Sequence, residues 1–565
     1  MKTIDASKWE NWLKAKNVDK KLKNEIKAMS NLERKKAFSK SELSFGTAGI
    51  RAKIGPGTQY LNIFVYQQMA IGYAKYILKK KSKNPYVVIG HDNRLYSDVF
   101  AKTCANVLTN FGINVLLFEN NKLMPTPIIS YAIRRFKALG GINITASHNP
   151  KSDNGFKAYN NLGAQILPND AKIIINNMPS SSKILSIELP KIKKCGTIKY
   201  INYKKITYEY FSIVAKNAII NHKTFDNPKN PIKKMPIVFT GHHGTTSELV
   251  PEFLKYLGFK KIFVVKEQQK IDPNFPGSPI TNPEDDRSFD KAINLAEKIG
   301  ATIIIGCDPD GDRMAIGFRK TNRWRFMSGN EMGIVYTYYG LKYFTYPKKP
   351  YIISSWVSTN YVDRIAKAFN ANVIRTKTGF KWMCNLIDKL EKKGSLVVAF
   401  EEAIGALVHT STRDKDCFGA IAQALEIYSN PRVNKYALDL HDFIQQKIFD
   451  EFGATYSHTF SYTVISNDWK KDAKLMFNRA LKMKKNQIRL YDYKIQKIHF
   501  CKEADAIEWI LDKHSWIKFR ISGTEPKFKV YFCLNDQMVG QLKAASDHNI
   551  KCIEEKILKG IKIKK

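Results

Sequence analysis

Thr145-Ala146-Ser147-His148-Asn149-Pro150 and Asp308-Pro309-Asp310-Gly311-Asp312-Arg313 are stretches of this chain whose residue types can carry out chemistry. A hydroxyl beside an imidazole, and three carboxylates at alternate positions, are the parts of a metal-assisted phosphoryl-transfer site. Read alone, Ser, His and Asn before a proline also make an ordinary turn. The carboxylates narrow the choice. Pro309 and Gly311 bend their loop so that Asp308, Asp310 and Asp312 can converge on one hard cation, and magnesium suits oxygen donors with room left for a phosphate oxygen. A calcium EF-hand fails, because its sixth position would be Arg313 where glycine is needed and its twelfth Arg319 where glutamate is needed. A phosphatase with Asp308 as nucleophile, following the apolar Ile303-Ile304-Ile305, stays open but leaves the Ser147 stretch without a role. A solvated acidic turn is disfavoured, since close carboxylates repel one another without a cation.

Two further stretches can hold phosphate. Arg520-Ile521-Ser522-Gly523-Thr524-Glu525-Pro526-Lys527 combines a guanidinium, two hydroxyls and a glycine that lets backbone N–H groups approach an anion, and Lys529 follows at strand spacing with Tyr531 beyond it. A plain turn between two strands would read the same way. Phe45-Gly46-Thr47-Ala48-Gly49-Ile50-Arg51 is less specific, because Gly-rich loops are common and Arg51 can simply pair with a carboxylate. Neither a Walker-type phosphate loop nor a G-x-G-x-x-G fingerprint is found, so nucleotide use is unsupported.

Something must position these loops, and one theme recurs along the chain: apolar strand, polar Gly-rich loop, helical pattern. Val87-Val88-Ile89-Gly90 leads into His91-Asp92-Asn93-Arg94, Ile237-Val238-Phe239-Thr240 into Gly241-His242-His243-Gly244, and Leu396-Val397-Val398-Ala399 into Phe400-Glu401-Glu402-Ala403. Near-continuous apolar strands separated by helices predict α/β domains with parallel or mixed sheets, whose ligands sit at the carboxyl ends of the strands. At 565 residues the chain exceeds what one core supports, so several domains are expected. Candidate linkers fall near Lys204-Lys205, 324–328 and 452–455. Four domains follow: α/β over 1–205, 206–328 and 329–455, and a smaller α+β domain over 456–565.

The formal net charge of +41 invites a nucleic-acid-binding reading. Lysines are spread from Lys14 to Lys565 without aromatic interleaving or a zinc-finger or helix-turn-helix spacing, so solvated faces are the preferred account and neither nucleic acid nor membrane is expected as partner. No run of eighteen apolar residues occurs, the N-terminus opens polar, and the eight cysteines lack paired C-x-x-C spacing. A cytoplasmic location is expected, with most cysteines buried.

Taken together, FGTAGIR at 45–51, TASHNP at 145–150, DPDGDR at 308–313, FEEAIG at 400–405 and RISGTEPK at 520–527 resemble, in order, the motifs of the α-D-phosphohexomutases, the phosphoglucomutase/phosphomannomutase family. The resemblance implies four domains around a central cleft, one Mg²⁺ and an active form phosphorylated on Ser147. It implies that phospho-Ser147 gives its phosphoryl group to a sugar hydroxyl, with the metal held by Asp308, Asp310, Asp312 and a phosphoserine oxygen. The resulting sugar 1,6-bisphosphate would turn end for end and return its other phosphoryl group to Ser147. Arg520, Ser522, Gly523, Thr524 and Lys529 would hold the phosphate that is not transferring.

Supporting roles follow the same resemblance. His148 and Lys157 would move the proton of the reacting hydroxyl; as plain alternatives, they are a turn residue and a surface lysine. Arg51 and Arg313 would steady the transferring group, and Glu401 would read two ring hydroxyls. Glu402 is a second sugar contact or a salt bridge at a domain seam, and His242 and His243 serve a domain interface. Phe400, Glu402, Ala403 and Ile404 depart from the commoner Gly-Glu-Met-Ser-Gly-His form of the sugar loop. With Lys377-Thr378-Gly379-Phe380-Lys381, this resembles the branch acting on glucose, mannose or pentose phosphates, so a phosphopentomutase is the alternative. Lys377, Thr378 and Gly379 are candidate substrate contacts. Lys529 stands where arginine is usual, which keeps the charge and weakens bidentate contact. Small-molecule sugar phosphates are the expected partners of a monomer or homodimer.

Overall fold

A computed structural model describes residues 5–40, 49–190, 192, 194–321, 323–434, 439–466, 468–522, 526–536 and 539–564. The chain folds as two compact units. The first runs to Phe326 and takes in Cys384–Asp388 and His409–Gln423; the second comprises Met327–Met383, Lys389–Val408 and the chain from Ala424 on.

In the first unit, Val87, Val88 and Ile89 are buried in the strand Tyr86–His91, as an apolar run in a sheet covered on both faces should be. The spatial order of its six-stranded sheet is Ile50–Lys53, Asp153–Tyr159, Gly140–Ile144, Tyr86–His91, Asn114–Phe118, Ile198–Ile201. Asp153–Tyr159 is antiparallel to both neighbours, and the other adjacent pairs are parallel. From Tyr86–His91 the chain passes through the helix Ser97–Asn110 to Asn114–Phe118 on one side, then through Thr126–Arg135 to Gly140–Ile144 on the other. The strand order therefore reverses between Tyr86–His91 and Gly140–Ile144, which is where open α/β sheets bind ligands. The loops beginning at His91 and Thr145 both leave the sheet there. Ahead of this sheet, three short helices within 9–37 pack Trp12, fully buried, edge-on against Phe38 and Phe64.

The second sheet of this unit has the order Arg323–Phe326, Met314–Lys320, Ile303–Cys307, Pro236–Thr240, Lys261–Val264. Ile303–Cys307 is buried throughout, parallel to Pro236–Thr240 and antiparallel to Met314–Lys320, so the three-aspartate loop turns between two central strands. Gly311 takes a positive φ of 67° at that turn, where a side chain would be strained.

In the second unit, Asn372–Thr376, Lys349–Ser355 and Gly394–Glu401 run parallel, with Gly405–Leu407 antiparallel at the edge. The helix Gly329–Tyr343 starts with a capping box between Ser328 and Glu331. A Cβ at Gly333 would lie 2.3 Å from the Phe400 ring, so only glycine admits that ring. The C-terminal sheet is wholly antiparallel, six strands in the order Ile495–Cys501, Ala506–Leu511, Trp516–Ile521, Lys527–Asp536, Ala454–Val464, Ile563–Lys564. Helices Trp469–Lys482 and Val539–Ile553 contribute Met476 and Leu542 to its core, and buried Trp509 donates from Nε1 to Ala480 O at 2.9 Å.

The α/β architecture with a C-terminal α+β region is the one the strand pattern predicts. One linker expectation is corrected: Lys204-Lys205 lies in the helix Tyr203–Ala218, whose first turn is capped by the Asn202 side chain. Within 324–328 the strand Arg323–Phe326 ends and Ser328 caps the helix Gly329–Tyr343, with the division between the two units falling after Phe326. Runs of lysine read as linkers because their charges favour solvent, yet a solvated helix face accommodates them equally well. Around 452–455 a helix ends at Phe452, Gly453 takes φ 78°, and the strand Ala454–Val464 begins.

Candidate active site

Ser147 follows the strand Gly140–Ile144 and adopts φ +53°, the left-handed region that a non-glycine residue enters at a cost of about 1 kcal/mol or more. Its N–H donates to Thr145 Oγ1 at 2.9 Å, and its hydroxyl donates to Asp308 Oδ2 at 2.7 Å. His148 Nδ1 lies 3.2 Å from the same hydroxyl oxygen. The two sequence motifs are thus joined by a direct hydrogen bond.

The ligand atoms of Asp308, Asp310 and Asp312 lie within 4.8 Å of one another, all three residues buried. Asp308 Oδ1 accepts the backbone N–H groups of Asp312 (3.1 Å) and Arg313 (2.9 Å). Asp310 Oδ2 accepts from Lys157 Nζ at 2.6 Å and from Thr126 Oγ1 at 3.0 Å; Asp312 Oδ2 lies 3.0 Å from both Lys157 Nζ and Lys415 Nζ. Among the described residues, Asp310 Oδ1 and Asp312 Oδ1 are buried without a hydrogen-bond partner. Burial, then the charges of Asp310 and Asp312, push the Asp308 carboxyl well above the usual carboxylate range. Burial works the same way on Asp312, but Lys157, Lys415 and Arg313 outweigh it and hold that carboxyl well below. For Asp310, burial and Asp312 are overcome by Lys157 and hydrogen bonding, and the net direction is downward. Two orphaned oxygens among three buried, converging carboxylates describe a site with acceptors to spare.

Lys157, expected at the surface in the plain alternative, is instead 1% exposed by side chain. Burial disfavours its charge, yet Asp310, Asp312 and Asp414 prevail and raise its pKa, so it is an ammonium donor at neutral pH. Burial, then Arg313 and Arg51, lower the His148 pKa well below the ordinary imidazole value and leave it neutral. Arg51 Nη1 donates to Asn149 Oδ1 at 2.9 Å, with its Nε buried and unpartnered among the described residues; Arg313 Nη1 pairs with Glu284 at 2.9 Å. Of FGTAGIR, residues 45–48 lie outside the described residues. The interface role expected of His242 and His243 is corrected: both are buried within the second sheet's own domain, His242 between Cys307 O and Ser288 O, His243 beside Lys270 O and accepting from the Gly277 N–H. Their Gly-rich loop packs tightly against the three-aspartate loop: a Cβ at Gly244 would lie 2.3 Å from Pro309 Cα.

In the second unit, Glu401 stands at the carboxyl end of the strand Gly394–Glu401, and its Oε1 accepts the Gly379 N–H at 2.6 Å. Gly379 takes φ 112°, and Thr378 Oγ1 beside it is buried without a hydrogen-bond partner among the described residues. Lys377 Nζ lies 5.8 Å from the Trp382 ring centroid. Glu402 Oε2 accepts from the hydroxyls of Ser355 and Ser358, both at 3.1 Å. Phe400 is buried against Gly333, so its bulk is turned into the core. Arg520 and Lys529 are directly opposite in adjacent antiparallel strands, which brings their Cβ atoms to about 5 Å. Like charges so placed repel, and an anion would relieve them. Arg520 Nε is buried and unpartnered among the described residues, and Ser522 N–H donates to Lys527 O at 2.9 Å. Gly523 and Thr524 lie outside the described residues.

Comparison with known proteins agrees with this geometry. Three consecutive segments match the family descriptions phosphoglucomutase/phosphomannomutase alpha/beta/alpha domain I (42–184), domain II (209–321) and domain III (328–446). A phosphomannomutase of Mycoplasmoides pirum is 43% identical over 532 residues, covering 94% of this chain and 95% of that one. This chain belongs to the phosphoglucomutase/phosphomannomutase family. A phosphoglucomutase of Staphylococcus aureus (strain MRSA252) is 32% identical over 544 residues, with 93% and 95% covered. The fold matches the crystal structure of a putative phosphomannomutase from Thermus thermophilus with a TM-score of 0.69 at 18% identity, over 91% of this chain and 100% of that one. The enzyme is therefore an intramolecular phosphotransferase, an isomerase of hexose phosphates.

As a phosphoglucomutase/phosphomannomutase family member, the chain presents in Asp308, Asp310 and Asp312 an all-oxygen donor set with two spare buried oxygens, which fits magnesium. One neighbour escaped the sequence reading. Lys415, in Arg413-Asp414-Lys415-Asp416, reaches Asp312, while Asp414 Oδ2 accepts from Tyr159 OH (2.9 Å) and Gln165 Nε2 (2.8 Å). The alternating charges of that stretch were a visible signal, although similar patterns cover many solvated surfaces. No helix among the described residues is long and apolar enough to cross a membrane.

Proposed function

We propose that this enzyme moves a phosphoryl group between C1 and C6 of glucose or mannose phosphate, with Ser147 as the phosphoryl carrier and a sugar 1,6-bisphosphate as intermediate. The observation that carries the reading is the Ser147 hydroxyl, held 2.7 Å from Asp308 on a left-handed backbone beside a carboxylate trio with spare oxygens. Asp308, Asp310, Asp312 and a phosphoserine oxygen would hold Mg²⁺, which when bound neutralises charge on the transferring group.

The residues divide the remaining work. In the transfer, the bond between phosphorus and Ser147 Oγ breaks, a bond from phosphorus to the sugar hydroxyl oxygen forms, and that hydroxyl's proton passes to Ser147 Oγ. His148, neutral and with Nδ1 3.2 Å from Ser147 Oγ, is suited to receive the proton from the sugar and deliver it to the serine. Lys157 stays protonated and fixes the Oδ2 atoms of Asp310 and Asp312. Arg51 and Arg313 steady the phosphoryl oxygens. Glu401, with Lys377, Thr378 and Gly379, reads the sugar; Arg520, Ser522, Gly523, Thr524 and Lys529 hold the idle phosphate. Glu402 sets the shape of its loop through Ser355 and Ser358. On this reading the chain is four segments, 1–205, 206–328, 329–455 and 456–565, each of them supplying one of the four loops.

Intact-mass analysis and peptide mapping, on protein as isolated and after incubation with glucose 1,6-bisphosphate, test the carrier. Phosphate on Ser147 is expected in at least the second sample, and full activity with none in either would reject the route. kcat/KM for glucose, mannose and ribose 1-phosphates on one preparation ranks the sugars; a preference for ribose would make the enzyme a phosphopentomutase.

A further inference from the structure

The loop 91–94 leaves the sheet at the same switch point as the serine loop, yet none of the steps above uses it. Arg94 is fully buried by side chain. Its Nη1 donates to Pro150 O and Asp153 O, both at 2.8 Å, and its Nη2 to Ser147 O at 2.7 Å and Asn149 O at 2.5 Å. Its Nε lies 3.4 Å from Asp92 Oδ2, while Asp92 Oδ1 accepts the Arg94 N–H and the Ser97 hydroxyl. A guanidinium has four terminal N–H groups. Four carbonyls engage them here, so none is left for a phosphate.

We infer that Arg94 is the positioning residue of the phosphoryl carrier: a buried cation that gathers the carbonyls of the loop 147–153 and thereby holds Ser147 in its left-handed conformation. The inference rests on Ser147 carrying the phosphoryl group. Within the loop, the backbone supplies few bonds of its own, Asn149 N–H to Ala146 O and Asp153 N–H to Pro150 O. The positive φ at Ser147 therefore needs an outside restraint, and one planar group reaches both ends of the loop at once. Asp92 supplies the counter-charge that a buried guanidinium requires. Lysine would keep the charge but has three diverging N–H groups, so at least one carbonyl would lose its partner.

The test uses the full-length enzyme and Arg94→Lys. With glucose 1-phosphate, Mg²⁺ and glucose 1,6-bisphosphate, kcat should fall about 10²-fold, because a displacement near 1 Å at a reacting group has that effect. KM should stay within about threefold, since no substrate contact is removed. Hydrogen exchange across 145–154 should quicken at least about tenfold while the strand Tyr86–His91 is unchanged. A raised KM at constant kcat would make Arg94 a substrate contact, and unaltered exchange with unaltered kcat would leave it only a core cation; either result overturns the inference. If Arg94→Lys does not fold, the wild type still decides: without Mg²⁺ the amides that donate within the loop, those of Ser147, Asn149 and Asp153, must be protected, and fast exchange at all three sinks the clamp. Exchange does not depend on phosphate, so this outcome is separable from a failure to find phospho-Ser147.

Discussion

The site's charges make single residues testable. Asp310 presents one oxygen to Lys157 and keeps the other buried without a partner among the described residues, so Asp310→Asn removes a metal donor and a counter-charge together. Activity at saturating Mg²⁺ should fall roughly 10²- to 10³-fold; a rise in Tm with Mg²⁺ is expected for the wild type in a thermal scan and should shrink or vanish in the variant. In the wild type, EDTA should abolish activity and Mg²⁺ restore it. Lys529 offers a gain instead of a loss. Opposite Arg520 it supplies charge without a planar fork, and Lys529→Arg should lower KM for glucose 1-phosphate about threefold at nearly constant kcat. Initial-rate kinetics would show it, and an increased KM would remove Lys529 from the phosphate site.

Loops here are placed by the elements beneath them, and a substitution that touches no ligand can still move one. Gly244 begins the approach to the helix Thr246–Tyr256 and sits against the three-aspartate loop: a Cβ there would lie 2.3 Å from Pro309 Cα. Thr245 binds the same residue, donating from N–H and hydroxyl to Pro309 O at 2.8 and 3.0 Å. Gly244→Ala must therefore push Pro309 and its flanking aspartates outward. The Mg²⁺ concentration for half-maximal activity should rise about tenfold, with a loss of about 1–3 kcal/mol in stability. A Mg²⁺ titration of activity and urea unfolding measure the two effects, and an unchanged titration would mean that the metal loop tolerates displacement.

Stability of the whole chain carries a pH signature from His242. Burial brings its pKa down to about 4 from 6.5, against the pull of the Ser288 and Cys307 carbonyls, so the folded protein binds that proton less readily than the unfolded chain. The stabilisation is complete above pH 6.5 and is lost as pH falls toward 4; about 2 kcal/mol should be gone at pH 5. Unfolding free energies at pH 7.5 and 5.0 for wild type and His242→Gln should show the steeper decline in the wild type. Some of this molecule was legible in the residues themselves. Apolar strands such as Val87-Val88-Ile89 announce a covered parallel sheet because burial on both faces leaves no alternation, and three alternate carboxylates bent by Pro309 and Gly311 announce the converging acidic trio. Lys157, Lys415 and Arg94 were not legible in this way, since a lysine or arginine reads as surface until the fold supplies carboxylates or carbonyls to surround it. The sequence by itself determined which residues could do chemistry and the order of elements carrying them. Only the tertiary structure decided that the Ser147 hydroxyl meets Asp308 across 161 positions of chain, that Phe400 turns inward and that Glu402 is held by two serines, because such partnerships depend on which loops emerge together at the ends of the sheets.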